Sequence, residues 1–176
     1  MMNIVLTGYR CTGKTTVGRI LSEKLGWPLV DTDALVQERA GKSIDGIVAA
    51  GGWEAFRDAE SAVVRDVSAG SGQVISAGGG AILREENRRA MKSGGKVILL
   101  RADAETIWAR MQGDAHTGAQ RPDLTDKGGL AEIQGLLAER RPLYEKAADL
   151  AISSDRYGPD EVACRILTWL KVHDLV

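Results

Sequence analysis

The chain has 176 residues, with 23 lysines and arginines against 24 aspartates and glutamates and a formal net charge of −1. That length suits one compact domain with a real core, and the charge balance argues against nucleic acid or a membrane surface as the main partner. The two cysteines, Cys11 and Cys164, lack metal-ligand spacing, and no run is apolar enough for a signal core or a bilayer span, so a cytoplasmic protein without a disulfide framework is expected.

Short apolar runs alternate with longer stretches of helical period along the chain. Strands are predicted at 3–7, 28–31, 73–77, 96–100 and 150–153, and helices at 14–25, 34–50, 53–69, 84–92, 104–112, 130–147 and 159–172. Strands alternating with helices predict βαβ units and a parallel sheet covered on both faces. Two helical stretches lie between 33 and 69 without a strand, which reads as an insertion at the sheet edge and a natural place for an acceptor site. The polar stretch QGDAHTGAQRPDLTDKGG, residues 112–129, is long for a connector and reads as a lid.

The first strand runs into GYRCTGKT, residues 8–15, which satisfies G-x-x-x-x-G-K-[ST]. Successive backbone N–H groups in such a turn bind phosphate oxygens, and the helix starting at Lys14 adds its positive end. Lys14 would reach the β- and γ-phosphates and Thr15 would present its hydroxyl to Mg²⁺. This identifies a nucleoside triphosphate site without naming the reaction. Arg19, farther along the same helix, reads as solvated.

Four stretches bear on the acceptor. LVDTDAL places Asp31 and Asp33 at the end of the second strand, where open α/β sheets bind ligands. One carboxylate can hold Mg²⁺ through water and the other can orient a hydroxyl and take its proton. A helix N-cap at Asp33 explains that residue equally well. GGWEAFRDAE carries Arg57 and Glu60 three apart on one helix, either a surface ion pair of ~0.2–0.5 kcal/mol or an arginine fork for a carboxylate held in place by Glu60. VISAGGGAIL ends a strand in Gly78, Gly79 and Gly80, read as a flexible turn or as a backbone wall for a small rigid ligand, where glycine allows close approach and unusual dihedrals. In GLAEIQGLLAERRPLY, Arg140 falls on the stripe of Leu130, Ile133, Leu137 and Tyr144, where a charge needs a structural acid or a ligand anion. Its neighbour Arg141 reads as solvated.

Together GYRCTGKTTVGR, VDTD, WEAFRDAE, SAGGGAIL, RPDL and ERRPLYEKAAD resemble the shikimate kinase family, in order and over nearly the whole chain. The resemblance implies an α/β fold: a P-loop, nucleoside-monophosphate-kinase-like three-layer sandwich with a five-stranded parallel sheet. One domain is implied over 1–176, with a substrate-binding insertion at 33–62 and a mobile lid at 112–129. It implies ATP-dependent phosphorylation of the shikimate 3-hydroxyl on the route to aromatic amino acids, with ATP and shikimate as ligands, Mg²⁺ as cofactor, and a monomer.

Carried over by position, ATP falls to Arg10, Cys11, Thr12, Gly13, Lys14, Thr15, Thr16 and the lid residue Arg121, with Lys14, Asp33 and Arg121 catalytic. Shikimate falls to Asp33, Arg57, Gly78, Gly79, Gly80 and Arg140, with both arginines on its carboxylate and Asp33 on ring hydroxyls. Mg²⁺ falls to Thr15 and Asp31, and the loop around 154–159 lies on the adenine side. Three positions depart from the family pattern. Cys11 stands where the phosphate loop usually has glycine, Asp123 follows the lid Arg-Pro where an apolar residue is usual, and Tyr157 aligns with an adenine-loop arginine, with Arg156 adjacent. A kinase of another hydroxylated acid such as gluconate is the alternative enzyme, and a non-catalytic nucleotide- or shikimate-binding regulator the alternative class.

Overall fold

The computed structural model describes residues 2–113 and 129–176. Along the chain lie β1 (Asn3–Thr7), α1 (Lys14–Leu25), β2 (Leu29–Asp31), α2 (Thr32–Ala40), α3 (Ile44–Ser68), β3 (Val74–Ser76), a 3-10 turn (Ala81–Leu83), α4 (Glu85–Gly94), β4 (Gly95–Arg101), α5 (Ala104–Gly113), α6 (Gly129–Ala147), β5 (Leu150–Ser153) and α7 (Pro159–Val172). The strands form one sheet in the order β2-β3-β1-β4-β5, every pairing parallel. The predicted lid and Arg121 lie outside the described residues, apart from the ends that α5 and α6 absorb.

β1 lies at the centre of the sheet and is buried at all five positions, which is why it reads as an apolar run and not as an alternation. Ile4 and Leu6 face a core with Val17 and Leu21 of α1 and Val162, Ile166 and Leu170 of α7. Val5 faces the opposite core, with Phe56, Val63 and Val64 of α3 and Tyr144 of α6. Two helical layers therefore enclose the sheet, and the strand ends that carry the motifs share one edge. Among the described residues no helix is long and apolar enough to cross a membrane.

The strand predictions agree with the structure to within a residue at each end. The prediction of one helix over 34–50 is corrected. Gly41 adopts the left-handed conformation (φ 61°) that closes α2, and Ser43 caps α3 by accepting from the Gly46 N–H. The predicted boundary near residue 52 is a kink within α3, where Gly52 takes φ 74° and ψ 179°.

Candidate active site

The loop between β1 and α1 divides two cavities. On one side, Tyr9 and Arg10 join Asp33, Ile44, Trp53, Phe56, Arg57, Glu60, Gly79, Gly80 and Arg140 around a cleft of about 460 Å³. On the other side, Cys11, Thr12, Gly13, Thr16 and Val17 join Arg110, Gly113 and the 154–159 loop around a wider one of about 1320 Å³. The turn between them passes through Cys11 at φ 60°, a conformation that suits glycine and costs an L-residue roughly 1–2 kcal/mol. Gly8 and Gly13 also have positive φ, 142° and 94°. Lys14 lies across the loop, donating from Nζ to the carbonyls of Gly8 (2.9 Å) and Tyr9 (2.8 Å).

The alternatives for Asp31 and Asp33 are separated by where α2 begins. Asp31, not Asp33, is the N-cap: its Oδ1 accepts from the N–H groups of Asp33 (3.0 Å) and Ala34 (3.2 Å). Its Oδ2 accepts from Thr15 Oγ1 at 3.0 Å, and Ser76 Oγ lies 3.3 Å from the same hydroxyl. Asp33, in the first turn, lines the smaller cleft. The sequence reading missed Ser76, because a serine ending a buried strand carries no local signal. Hydroxyl and carboxylate oxygens at the mouth of the loop are the hard donors that suit Mg²⁺.

The smaller cleft has an aromatic wall and a charged rim. Trp53 and Phe56 meet edge to face at 5.9 Å, and the Arg57 guanidinium carbon lies 5.1 Å from the Phe56 ring centroid and 5.6 Å from that of Trp53. Arg57 donates from Nη1 to Glu60 Oε2 at 2.6 Å. The Glu60 side chain is 1% exposed, so this is not the exposed surface pair that the i, i+3 spacing allows. Burial pushes the Glu60 carboxyl above the usual carboxylate range, with Arg57 opposing. Arg140, 6% exposed, comes in from α6 with its guanidinium 5.7 Å from the Tyr9 ring. The Nε atoms of Arg10 and Arg140 and Oε1 of Glu60 are buried polar atoms without a hydrogen-bond partner among the described residues. All three atoms belong to residues that line the same cleft.

The three glycines act through space, not through unusual dihedrals, since none of them has a positive φ. A Cβ on Gly78 would collide with Asp33 Oδ1 and lie 2.7 Å from Glu60 Oε1. On Gly80 it would collide with both terminal nitrogens of Arg57, and on Gly79 it would press on the Arg10 backbone at 3.3 Å. The Tyr144 hydroxyl donates to Gly79 O at 2.5 Å and secures this turn to α6.

Arg10, carried over to ATP by position, is among the residues that line the smaller cleft. Thr16 lines the wider one, while Arg19 and Arg141 are exposed, as their solvated reading expects. Arg110 was missed. It donates to Cys11 O (3.1 Å) and Ser154 O (2.6 Å), joining the phosphate loop to the 154–159 loop. A lone arginine in the last turn of a helix reads as a partner for the helix dipole, so its neighbours in sequence gave no sign of this. Tyr157 also lines this cleft, with the Arg165 guanidinium 3.8 Å from its ring centroid.

Known proteins with this architecture are numerous. A family model described as shikimate kinase matches residues 10–171. Among curated relatives, a shikimate kinase of Symbiobacterium thermophilum is 45% identical over 170 residues, 97% of each chain. Another, of Oleidesulfovibrio alaskensis, is 47% identical over 148 residues, 84% of this chain and 86% of its own. The solved structure of a shikimate kinase from Acinetobacter baumannii in complex with shikimate superposes with a TM-score of 0.92 at 31% identity, covering 100% of this chain and 96% of that one.

Proposed function

The chain belongs to the shikimate kinase family, and from that membership and the cleft beside the phosphate loop we infer that it transfers the γ-phosphoryl group of ATP to the 3-hydroxyl of shikimate, giving shikimate 3-phosphate and ADP. The observation that carries the reading is the convergence of Asp33, Arg57 and Arg140 on one cleft with an aromatic wall, next to the loop that holds Lys14. A small ring with a carboxylate at one end and hydroxyls at the other matches that distribution of charge and apolar surface.

In this reading Arg57 and Arg140 fix the acceptor carboxylate, Arg57 being held in place by Glu60. Asp33 accepts from the reacting hydroxyl and aims it at the γ-phosphate. Phosphoryl transfer asks chiefly for alignment and for neutralisation of spread charge. Lys14 and the loop N–H groups supply neutralisation, and the family pattern adds Arg121. Thr15 and Asp31 would hold Mg²⁺, which supplies charge compensation at the phosphate oxygens. The wider cleft takes the nucleotide, with its base toward the 154–159 loop and Arg110.

The test is ADP release measured with ATP plus shikimate, gluconate or no acceptor, each with and without Mg²⁺. Turnover with shikimate and Mg²⁺ alone is expected. Equal turnover with gluconate, or turnover indifferent to acceptor, would displace the reading.

A further inference from the structure

The phosphate loop and α6 are joined by a buried ion pair that the chemistry above does not use. Arg10 Nη2 donates to Glu132 Oε1 at 3.1 Å, with side-chain exposures of 9% and 1%. Burying such a pair costs desolvation that its attraction only partly offsets, so stability is a poor reason for its presence. Its location is more informative. Arg10 lines the acceptor cleft and not the nucleotide cleft, while Glu132 lines neither. Glu132 and Arg140 lie eight residues apart on α6, ~12 Å along its axis. The guanidiniums of Arg10 and Arg140 both lie against the Tyr9 ring, at 5.8 and 5.7 Å. Two cations on one ring repel each other, and the Glu132 carboxylate offsets the charge of one of them. Both present a buried Nε that lacks a partner among the described residues.

We propose that Glu132 is a positioning residue for acceptor binding: by holding Arg10 it keeps α6, and with it Arg140, in register with the phosphate loop, and it keeps the Arg10 guanidinium at the cleft. Arg10 thereby joins Arg57 and Arg140 as a third acceptor-side cation, carried by the phosphate loop itself. This rests on the assignment of the smaller cleft to the acceptor. Wild-type turnover with shikimate checks that assignment independently, since its absence would remove the acceptor reading before any variant is made.

The experiment compares Glu132→Gln and the apolar double replacement Arg10→Met with Glu132→Leu, reading kcat, both Michaelis constants and Tm. Glu132→Gln is expected to raise the Michaelis constant for shikimate roughly ten- to a hundredfold, as small misplacements of binding groups do, and to leave that for ATP within about twofold. The double replacement is expected to restore Tm, as apolar substitution of buried pairs often does, without restoring shikimate affinity. If shikimate affinity recovers together with Tm, or if both Michaelis constants move alike or neither moves, the pair only packs the core and the inference fails. Should Glu132→Gln fail to fold, the double replacement alone decides between these outcomes.

Discussion

At the end of β2, Asp31 turns one carboxylate oxygen to the N–H groups of Asp33 and Ala34 and the other to Thr15 Oγ1. The sequence VDTD leaves both acids able to cap a helix, because either could precede the first turn. The choice depends on where α2 starts, and Thr32, whose Oγ1 accepts from the Gly78 N–H at 2.8 Å, is already inside it. Asp33→Asn should therefore leave the unfolding free energy within about 0.5 kcal/mol of wild type, while Asp31→Ala should lose ~1 kcal/mol of capping. Turnover in Asp33→Asn should fall ~10²–10⁴-fold if the carboxylate takes the hydroxyl proton. Because loose phosphoryl transfer asks little of a base, a fall of only about tenfold would assign Asp33 to orientation. Full activity in steady-state assays would remove it from the mechanism. Arg110 shows the opposite limit of legibility, since its partners Cys11 and Ser154 lie 99 and 44 residues away and no local spacing announces them.

Between β2 and β3, α2 and α3 bring the aromatic wall and Arg57 to the cleft, and the turn in α3 that does so is Gly52. The double glycine made this boundary visible in the sequence. The break at Gly41 was missed because the apolar period of Leu35, Val36, Ile44 and Ile47 runs across it, although Gly41 with Ser43 two residues on is a stop and a start. Gly52 sits at φ 74° and ψ 179°, a region essentially closed to residues with a Cβ, yet a Cβ there would meet nothing within 4 Å. Gly52→Ala should thus cost ~1–3 kcal/mol through backbone strain alone, and should raise the shikimate Michaelis constant because Trp53, Phe56 and Arg57 follow directly. Urea unfolding and steady-state kinetics on the same variant check both parts. On α6, burial pushes the Tyr144 phenol up to about 12. Its ordinary value is near 10, so between about pH 10 and pH 12 the unfolded chain gives up this proton first and stability falls as pH rises. Tyr144→Phe should flatten that alkaline slope and, by leaving Gly79 O without its donor, cost ~1–3 kcal/mol at neutral pH. Denaturant titrations across the alkaline range would reveal an unchanged slope if another group is responsible.

In the whole molecule, the order β2-β3-β1-β4-β5 sets the phosphate loop on the central strand, with β3 and its glycine turn on one side and β4 on the other. The sequence made the parallel sheet legible because five short apolar runs alternate with stretches of helical period, but strand order is a matter of long-range pairing that no local pattern carries. That order explains why consecutive loop residues serve different clefts: Tyr9 and Arg10 face the acceptor side, and Cys11, Thr12 and Gly13 face the nucleotide side. Among the described residues no lining residue is common to the two clefts, so binding in one should survive damage confined to the other. Lys14→Met tests this, since Lys14 opens α1 directly after the loop and its ammonium is held against the loop by the carbonyls of Gly8 and Tyr9. In wild type, a ligand at a hundredfold excess over its Kd stabilises by ~2.7 kcal/mol, which for a chain of this size is a Tm rise of roughly 5–10 °C. Shikimate should still produce that rise in Lys14→Met, whereas ADP with Mg²⁺ should lose most of its own and turnover should cease. A variant in which shikimate also fails to raise Tm would mean that the loop couples the two clefts so tightly that they behave as one site. A variant that keeps the ADP response and turns over would take Lys14 off the phosphates.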